Sequence, residues 1–316
     1  MRRLPWSCLF LAIGLLLVDK QLLAQTIVWS GTDATAGVNT NWSDVNNWTG
    51  GTPGSAANIY FFDAGANSAQ GVLNNIISAN TTILSLQYGN TNGFHTTQIN
   101  AGVTLTVSDS GAANLVFAGT GTDNGVSQTL YSTVTGPGSL VVNSGNSGSA
   151  FFVQQGSANN GVHMATLDMS GLANFNLTVG RLLVGNGGSA GSSNWPSGRL
   201  YLAGTNTIRV NGAGPAIDVG DSFMNTGTNY IYMGRTNAIY ADSMAVGRQK
   251  CTSTLAFNAS MGGNPVLYLN GNTNSRVTAL AIGDFSAQTG SGSITFGTMN
   301  LLGGTVNAQV NTCYVA

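Results

Sequence analysis

Two aspartates three residues apart, Asp218 and Asp221, are the carboxylates whose spacing best fits acid–base chemistry. Cleavage of a glycosidic bond needs two carboxyl groups that face each other across the substrate. Asp218 lies between two apolar residues that a strand would turn inward, so we expect its side chain to point outward. Asp242 and Arg248 follow on what we expect to be a neighbouring repeat.

The residues expected beside Asp218 do not complete an acid–base pair. The equivalent outward positions on similar segments are Leu183, Tyr232, Ala245, Ala281 and Tyr314. Asp221 follows a glycine, where a carboxylate ordinarily caps a turn. The sequence therefore predicts no catalytic residue and a chain that is not an enzyme. Convergence of Asp218, Asp221 and Asp242 in a groove would indicate the opposite.

Metal and thiol chemistry finds little support in the sequence. His95 and His163 are the only histidines, and no Cys or Glu stands near them at metal-ligand spacing. We predict that both are polar loop residues and that the chain carries no metal and no cofactor. Cys313 is expected to face the core and Cys251 to lie in a polar turn. A disulfide between them is an alternative to a buried Cys313 thiol.

Three tryptophans, Trp29, Trp42 and Trp48, fall within 20 residues. The end of a stacked β structure exposes apolar core and unpaired strand edges, and it needs a cap. Large aromatic rings with one polar N–H suit that position. The alternative is that these three rings contact a glycan.

A recurring segment sets the architecture: a short strand with alternating apolar residues that ends at or near glycine. It occurs at Leu182–Gly185, Ile217–Gly220, Ile231–Gly234, Met244–Gly247, Leu280–Gly283 and Cys313–Ala316. The segment ends are 35, 14, 13, 36 and 33 residues apart, and joining the two short intervals gives coils of about 27 to 36 residues. Such self-similarity is typical of a solenoid.

Period-2 alternation within these segments indicates strands, so the chain is expected to be all-β. The pattern favours a right-handed parallel β-helix with an N-terminal Trp-rich cap and about a dozen rungs at roughly 4.8 Å spacing. Asn-rich corners are expected to stack their amides from rung to rung. A β-sandwich is the alternative architecture, but it does not account for the recurrence.

Composition narrows the range of partners. The chain has 316 residues, 44 of them Gly, only 7 % charged and with a net charge of −1. Because there is no basic surplus to neutralise phosphates, we expect no nucleic-acid partner. Long amphipathic helices are also excluded, since their exposed faces need more charged residues.

The N-terminus has the features of a secretory signal peptide. Met1-Arg2-Arg3 is basic, and Trp6 to Val18 is almost unbroken apolar sequence. About a dozen apolar residues are too few for a bilayer span, which needs roughly 20. We therefore predict a signal peptide at 1–24, a Trp-rich cap at 25–72 and a β-solenoid at 73–316. The mature protein is expected to be secreted or on the cell surface, without an integral membrane segment.

Several segments resemble secreted bacterial proteins with autotransporter-associated β-strand repeats, which are abundant in Verrucomicrobia. The resemblance rests on the three spaced tryptophans, on Asn58–Asp63, and on the segments Gly198–Ala203, Ala216–Asp221 and Val246–Lys250. It implies export and a repeat architecture rather than a particular chemistry. Members are usually much longer, so the resemblance predicts that this chain is a piece of a longer protein with a solenoid open at its C-terminal end.

The sequence thus predicts a non-catalytic exported rod with a structural, adhesive or surface-display role. Its expected partners are glycans or cell-surface components. The alternatives are a polysaccharide lyase or glycoside hydrolase built on a β-helix, and a glycan-binding module.

Overall fold

The chain folds almost entirely into β-strands. The computed structural model describes residues 24–111, 114–123, 128–157, 163–188, 196–222, 228–284 and 295–316. Within these ranges the helical segments are one α-helical turn, α1 (Thr32–Thr35), and 3₁₀ turns at Val45–Asn47 and Ala259–Met261.

The strands of the first half are short and separated by turns. They are β1 (Gln25–Trp29), β2 (Trp48–Thr49), β3 (Ala57–Phe61), β4 (Asn75–Ile77), β5 (Thr81–Ile83), β6 (Ser85–Tyr88), β7 (His95–Ile99), β8 (Thr104–Ser108), β9 (Asn114–Asp123), β10 (Thr129–Asn143), β11 (Ala150–Ser157), β12 (Met164–Asp168) and β13 (Leu172–Val179).

The second half continues the same pattern. Its strands are β14 (Arg181–Gly188), β15 (Gly198–Tyr201), β16 (Thr205–Val210), β17 (Ile217–Ser222), β18 (Thr228–Met233), β19 (Thr236–Ala241), β20 (Ser243–Gln249), β21 (Thr252–Phe257), β22 (Val266–Asn270), β23 (Val277–Asp284), β24 (Phe296–Asn300), β25 (Thr305–Ala308) and β26 (Val310–Val315).

Parallel strands from successive coils form the first wall of the molecule, wall A. Its order is β1-β3-β6-β9-β11-β14-β17-β20-β23-β26, and β2 adds to β1 in antiparallel orientation to complete the 11-stranded sheet. At about 4.8 Å per strand, wall A is roughly 43 Å long. It has fewer rungs than the dozen expected, because most coils are longer than the roughly 25 residues on which that expectation rested.

A second sheet, of 15 strands, supplies the other two walls. The long strand β10 pairs through its first part with β7 and β12 and through its second part with β8 and β13. It thereby joins wall B (β4, β7, β12, β15, β18, β21, β24) to wall C (β5, β8, β13, β16, β19, β22, β25). From β3 onward the chain passes through walls A, B and C in turn, which confirms the predicted β-solenoid and excludes the sandwich.

Five of the six recurring segments occupy wall A on successive coils. Register pairs their outward positions in one row, Leu183, Asp218, Ala245, Ala281 and Tyr314. The sixth segment lies in β18 of wall B, where Tyr232 pairs with Tyr201. Tyr232 therefore does not belong to the row in which the sequence placed it, because the same alternation ending on glycine also occurs where wall B ends.

Glycines turn the chain out of wall A. Gly185, Gly220, Gly247 and Gly283 all have φ between +64° and +76°, a region that residues with a Cβ rarely enter. At Gly220 a Cβ would also lie only 2.0 Å from Oγ of Ser253. The repeated glycine is thus required by the geometry of the corner.

Inward side chains from the three walls fill the interior of the coil. The largest fully buried ones include Trp29, Phe61, Tyr88, Phe151 and Phe175. Burying each large apolar side chain contributes about 1.5–3 kcal/mol. Since each coil covers the apolar side of the next, this burial exists only through stacking.

The N-terminal coil closes one end of the solenoid. Trp29, Trp42 and Trp48 are all buried there, as expected of a cap. β1 and β3 already belong to wall A, so the segment 25–72 also contributes rungs, and its boundary at residue 72 stays a prediction. The predicted signal peptide lies outside the described residues, apart from Ala24. No helix in the described ranges has the length and apolar character needed to cross a bilayer.

Candidate functional site

A row of polar side chains lies where wall A meets the corner. Asn186, Asp221, Arg248 and Asp284 occupy equivalent positions on four successive coils. Each directly follows the corner glycine of its strand. Because register stacks these positions, their side chains meet, and together with Asp218 we call them the corner cluster.

Arg248 is the centre of the corner cluster. Its Nη1 lies 2.6 Å from Oδ2 of Asp221, and its Nε lies 3.1 Å from Oδ2 of Asp284. Gln249 donates from Nε2 to the other oxygen of Asp221 at 2.6 Å. Burial alone would lower the pKa of the Arg248 guanidinium, but Asp221 and Asp218 outweigh burial and raise it. The arginine therefore stays charged and bridges two neighbouring coils.

Asp218 is completely buried beneath this bridge. Its Oδ2 accepts a hydrogen bond from Nδ2 of Asn186 at 3.1 Å and lies 3.7 Å from Nη1 of Arg248. Its Oδ1 has no hydrogen-bond partner. Burial raises the pKa of Asp218 well above its usual value, and Asp221 adds to the rise, while Arg248 and Arg181 act in the opposite direction. The protonated carboxyl is thus favoured.

The structure corrects the expected environment of Asp218. Register does place the residue on the outer face of wall A, as predicted, between Leu183 and Ala245. All three are nevertheless buried, with Asp218 at 0 % exposure. A substrate cannot reach this carboxyl group in the described conformation.

Asp242 does not join the cluster. It immediately precedes β20, whereas Arg248 lies at the far end of that strand. Its Oδ1 accepts a hydrogen bond from the backbone N–H of Asn272 at 2.9 Å. The convergence of three aspartates that would have indicated catalysis is not formed, and Asp284 meets Arg248 instead.

A groove of about 970 Å³ borders the corner cluster on wall A. It is lined by Ala245, Ala281 and Tyr314 among others, and Asp284 is the cluster member that reaches it. The Asp284 side chain is 20 % exposed. The open part of the site therefore offers one carboxylate that is already paired with an arginine.

His95 is a buried strand residue, and its prediction as a loop residue was wrong. It lies in β7 at 0 % exposure, with its ring centroid 5.0 Å from that of Phe61. Nε2–H donates to the carbonyl of Phe62 at 2.5 Å, and Nδ1 accepts from Nδ2 of Asn74 at 3.3 Å. Burial lowers the pKa of His95 to about 4, against the opposing effects of the Phe62 carbonyl and Asp63.

The second histidine and the cysteines also differ from expectation. His163 is buried rather than a solvated loop residue. Cys251 and Cys313 are not joined by a disulfide. Cys251 is buried although the sequence placed it in a polar turn, and Cys313 is exposed. Cys313 does occupy the expected register position beside Leu280, but it belongs to the last described strand of wall A.

The tryptophans pack against one another in the cap. Trp48 lies edge-to-face with Trp29 and Trp42, with ring centroids 4.8 Å and 5.3 Å apart. Nε1 of Trp48 donates to the Trp42 carbonyl at 2.8 Å, and Nε1 of Trp42 donates to Oδ1 of Asn75 at 2.9 Å. Glycan contact by these rings stays a prediction, and their exposures of 0 %, 3 % and 7 % leave a sugar little ring face to contact.

Sequence reasoning missed Asp284. The signal that could have found it is the coil length, because Arg248 and Asp284 are 36 residues apart, as are the segment ends Gly247 and Gly283. Applying the repeat to the residue after each glycine brings the cluster together.

Among the described residues, no three His, Cys, Asp or Glu side chains are grouped so that they could hold a metal ion. Comparison of the chain with protein-family models gives no match, and neither do comparisons with curated proteins and with solved structures.

Proposed function

We propose that this chain is an exported, non-catalytic β-solenoid with a structural, adhesive or surface-display role. The observation that supports this role most strongly is the row of outward side chains along wall A. Register pairs run from Val28 through Tyr60, Phe117 and Asp218 to Tyr314 without leaving the row. A rod of this kind presents the same sheet face to a partner over its whole length.

Export is part of the proposal. The basic start and apolar run of residues 1–24 have the composition of a secretory signal. The repeat architecture and the spaced tryptophans fit secreted proteins with autotransporter-associated β-strand repeats of the Verrucomicrobia type. Glycans or other cell-surface components are the partners that such a rod would meet.

Cell fractionation tests this proposal. The full chain with a C-terminal epitope tag is expressed in a Gram-negative host, and the exported species is expected to lack residues 1–24 by mass. The variant Leu16→Arg interrupts the apolar run and should keep the chain in the cytoplasm, while Thr35→Ala in the mature chain should not. An uncleaved chain confined to the cytoplasm would refute the exported role.

The second candidate function is cleavage of a polysaccharide. The observation in its favour is the groove beside Asp284 together with a protonated Asp218 next to the Asp221 carboxylate, since acid–base pairs differ in pKa. Release of reducing or unsaturated ends from a polysaccharide panel is the test. Activity that is lost in Asp218→Asn and Asp284→Asn but kept in Asp242→Asn would support the enzyme. Activity equal in all three variants would exclude this site.

A further inference from the structure

Two tyrosines of wall B form a flat aromatic platform. Tyr230 and Tyr232 project outward from β18, because the alternate residues Ile231 and Met233 are buried in the core. Their ring centroids are 5.4 Å apart and their planes differ by only 10°. The two rings therefore extend in nearly the same direction, and we call them the tyrosine platform.

One side of the tyrosine platform is covered by the preceding coil. Register pairs Arg199 with Tyr230 and Tyr201 with Tyr232. The guanidinium carbon of Arg199 lies 4.9 Å from the Tyr230 ring centroid, and the Tyr201 ring stacks on Tyr232 at 4.7 Å and 19°. These contacts hold both rings upright from one side.

The following coil places only small residues opposite the other side. Register pairs Tyr230 with Thr254 and Tyr232 with Ala256, both in β21. The next positions outward along wall B are Thr298 and Asn300, which are exposed. Since an alanine methyl and a threonine side chain are much shorter than a tyrosine ring, the platform ends in a step. In the described part of the chain this step has an aromatic wall and a polar, uncharged floor.

A step of this kind matches the chemistry of a sugar ring. One face of a pyranose carries C–H groups that pack on the negative face of an aromatic ring, while its hydroxyl groups need hydrogen-bond partners. Thr254, Thr298 and Asn300 supply hydroxyl and amide groups beside the rings. The absence of charge among these floor residues matches a neutral sugar rather than an acidic one.

We propose that the tyrosine platform and its floor bind a neutral glycan, with sugar rings packed against Tyr230 and Tyr232. This inference rests on the proposed adhesive role and names its ligand class. A chain of sugars could continue from coil to coil, because the rung spacing of about 4.8 Å is close to the length of one pyranose unit.

Binding to insoluble polysaccharides tests the inference. The purified full chain is mixed with microcrystalline cellulose, chitin or an insoluble β-1,3-glucan, with cross-linked polygalacturonate as the acidic comparison. We expect retention on at least one neutral polysaccharide and none on polygalacturonate. Tyr230→Ala combined with Tyr232→Ala should weaken retention at least tenfold. Tyr268→Ala, an exposed tyrosine on wall C, is the matched control and should bind as the parent chain does.

A second variant keeps the rings and blocks the step. Ala256→Tyr adds a ring at the register neighbour of Tyr232, where it should stack as Tyr201 does on the opposite side. It should lose binding as the double variant does, while circular dichroism and thermal melting stay like those of the parent chain. This variant separates blocked access from loss of folding.

The outcomes distinguish this inference from the exported role. Undiminished retention of folded Ala256→Tyr and of the double variant, retention on polygalacturonate, or no retention on any neutral polysaccharide would overturn the tyrosine platform as a neutral-glycan site. None of these results bears on fractionation, so the exported role would stand. Conversely, a chain confined to the cytoplasm could still bind through the platform in vitro.

Discussion

The side-chain amide of Asn206 donates a hydrogen bond to Oδ1 of Asn237, its register neighbour on the next coil, at 2.9 Å. Both residues point into the core of wall C and are almost completely buried. Asn237 in turn donates to the carbonyl groups of Gly234 at 2.8 Å and Val266 at 3.0 Å. It also accepts from the Gly234 N–H at 3.0 Å. The two amides therefore satisfy backbone groups at a corner that has no solvent.

Asn237→Ala should destabilise the solenoid by about 2–4 kcal/mol. The substitution leaves the Gly234 N–H, two carbonyl groups and the Asn206 amide without this partner, and each unsatisfied buried group costs roughly 1–3 kcal/mol. Some of this cost is relieved by relaxation or entry of water. Thermal unfolding followed by circular dichroism measures the loss. Asn176→Ala, which changes an exposed asparagine of β13, is the control, and equal melting temperatures for the two variants would contradict a structural amide ladder.

Trp48→Ala should open the capped end of the molecule. It removes a ring that packs edge-to-face on Trp29 and Trp42, and truncation of a buried tryptophan costs about 3–5 kcal/mol. Because solenoid coils are stabilised by their neighbours, the loss should be largest near the cap. Hydrogen exchange should speed up in β1 and β3 while β19 and β22 stay protected. Phe62→Ala, at an exposed ring, is the control, and uniform acceleration along the rod would argue against a cap.

The repeated part of the fold could be predicted from the sequence because strand alternation and corner glycines are local signals. They gave the coil length, the row of outward positions from Leu183 to Tyr314, and the stacked asparagines. The same signals could not separate wall A from wall B, since both walls end at a glycine. For this reason Tyr232 was placed beside Asp218, although it belongs beside Tyr201.

Burial of polar residues could not be predicted, because it depends on groups from neighbouring coils. Asp218 lies on the outer face, yet Arg248 and Asn186 approach it from adjacent coils. His95 lies in a polar stretch that resembles a loop, yet Asn74 supplies one of its hydrogen bonds and Phe62 the other. In both cases the environment comes from residues at least 20 positions away in sequence.

Asp218→Asn should stabilise the chain at neutral pH. The pKa of Asp218 is raised in the folded chain, mainly by burial, so the folded state holds a proton that the unfolded state releases above its ordinary value of about 3.8. Stability contributed by this group is therefore present below pH 3.8 and is lost as the pH rises. Asparagine keeps the shape and a hydrogen-bonding group without the charge.

Urea unfolding at pH 4 and pH 8 measures this effect. The advantage of Asp218→Asn over the parent chain should grow between the two pH values. The control is Asp242→Asn, at an exposed position, and its difference from the parent should change little. A variant that loses stability relative to the parent at pH 8 would show instead that an ionised Asp218 is stabilised by Arg248.

His95 should make the chain less stable in acid. Its pKa is about 4 in the folded state and about 6.5 otherwise, because burial disfavours the imidazolium. The unfolded chain therefore binds the extra proton first, and stability is lost as the pH falls from about 6.5 toward 4. A difference of this size corresponds to about 3 kcal/mol over that interval.

Nuclear magnetic resonance titration of the imidazole C–H signals tests this directly. The chain has only two histidines, and His163→Gln assigns the His95 signal. We expect a midpoint near 4 for His95 and, in urea unfolding, a weaker loss of stability between pH 7 and pH 4 for His95→Gln than for the parent. The glutamine amide can still donate to the Phe62 carbonyl, so the comparison changes the titrating group more than the hydrogen bond. An unperturbed midpoint near 6.5 would show that water reaches the ring and that the cap-side core is open.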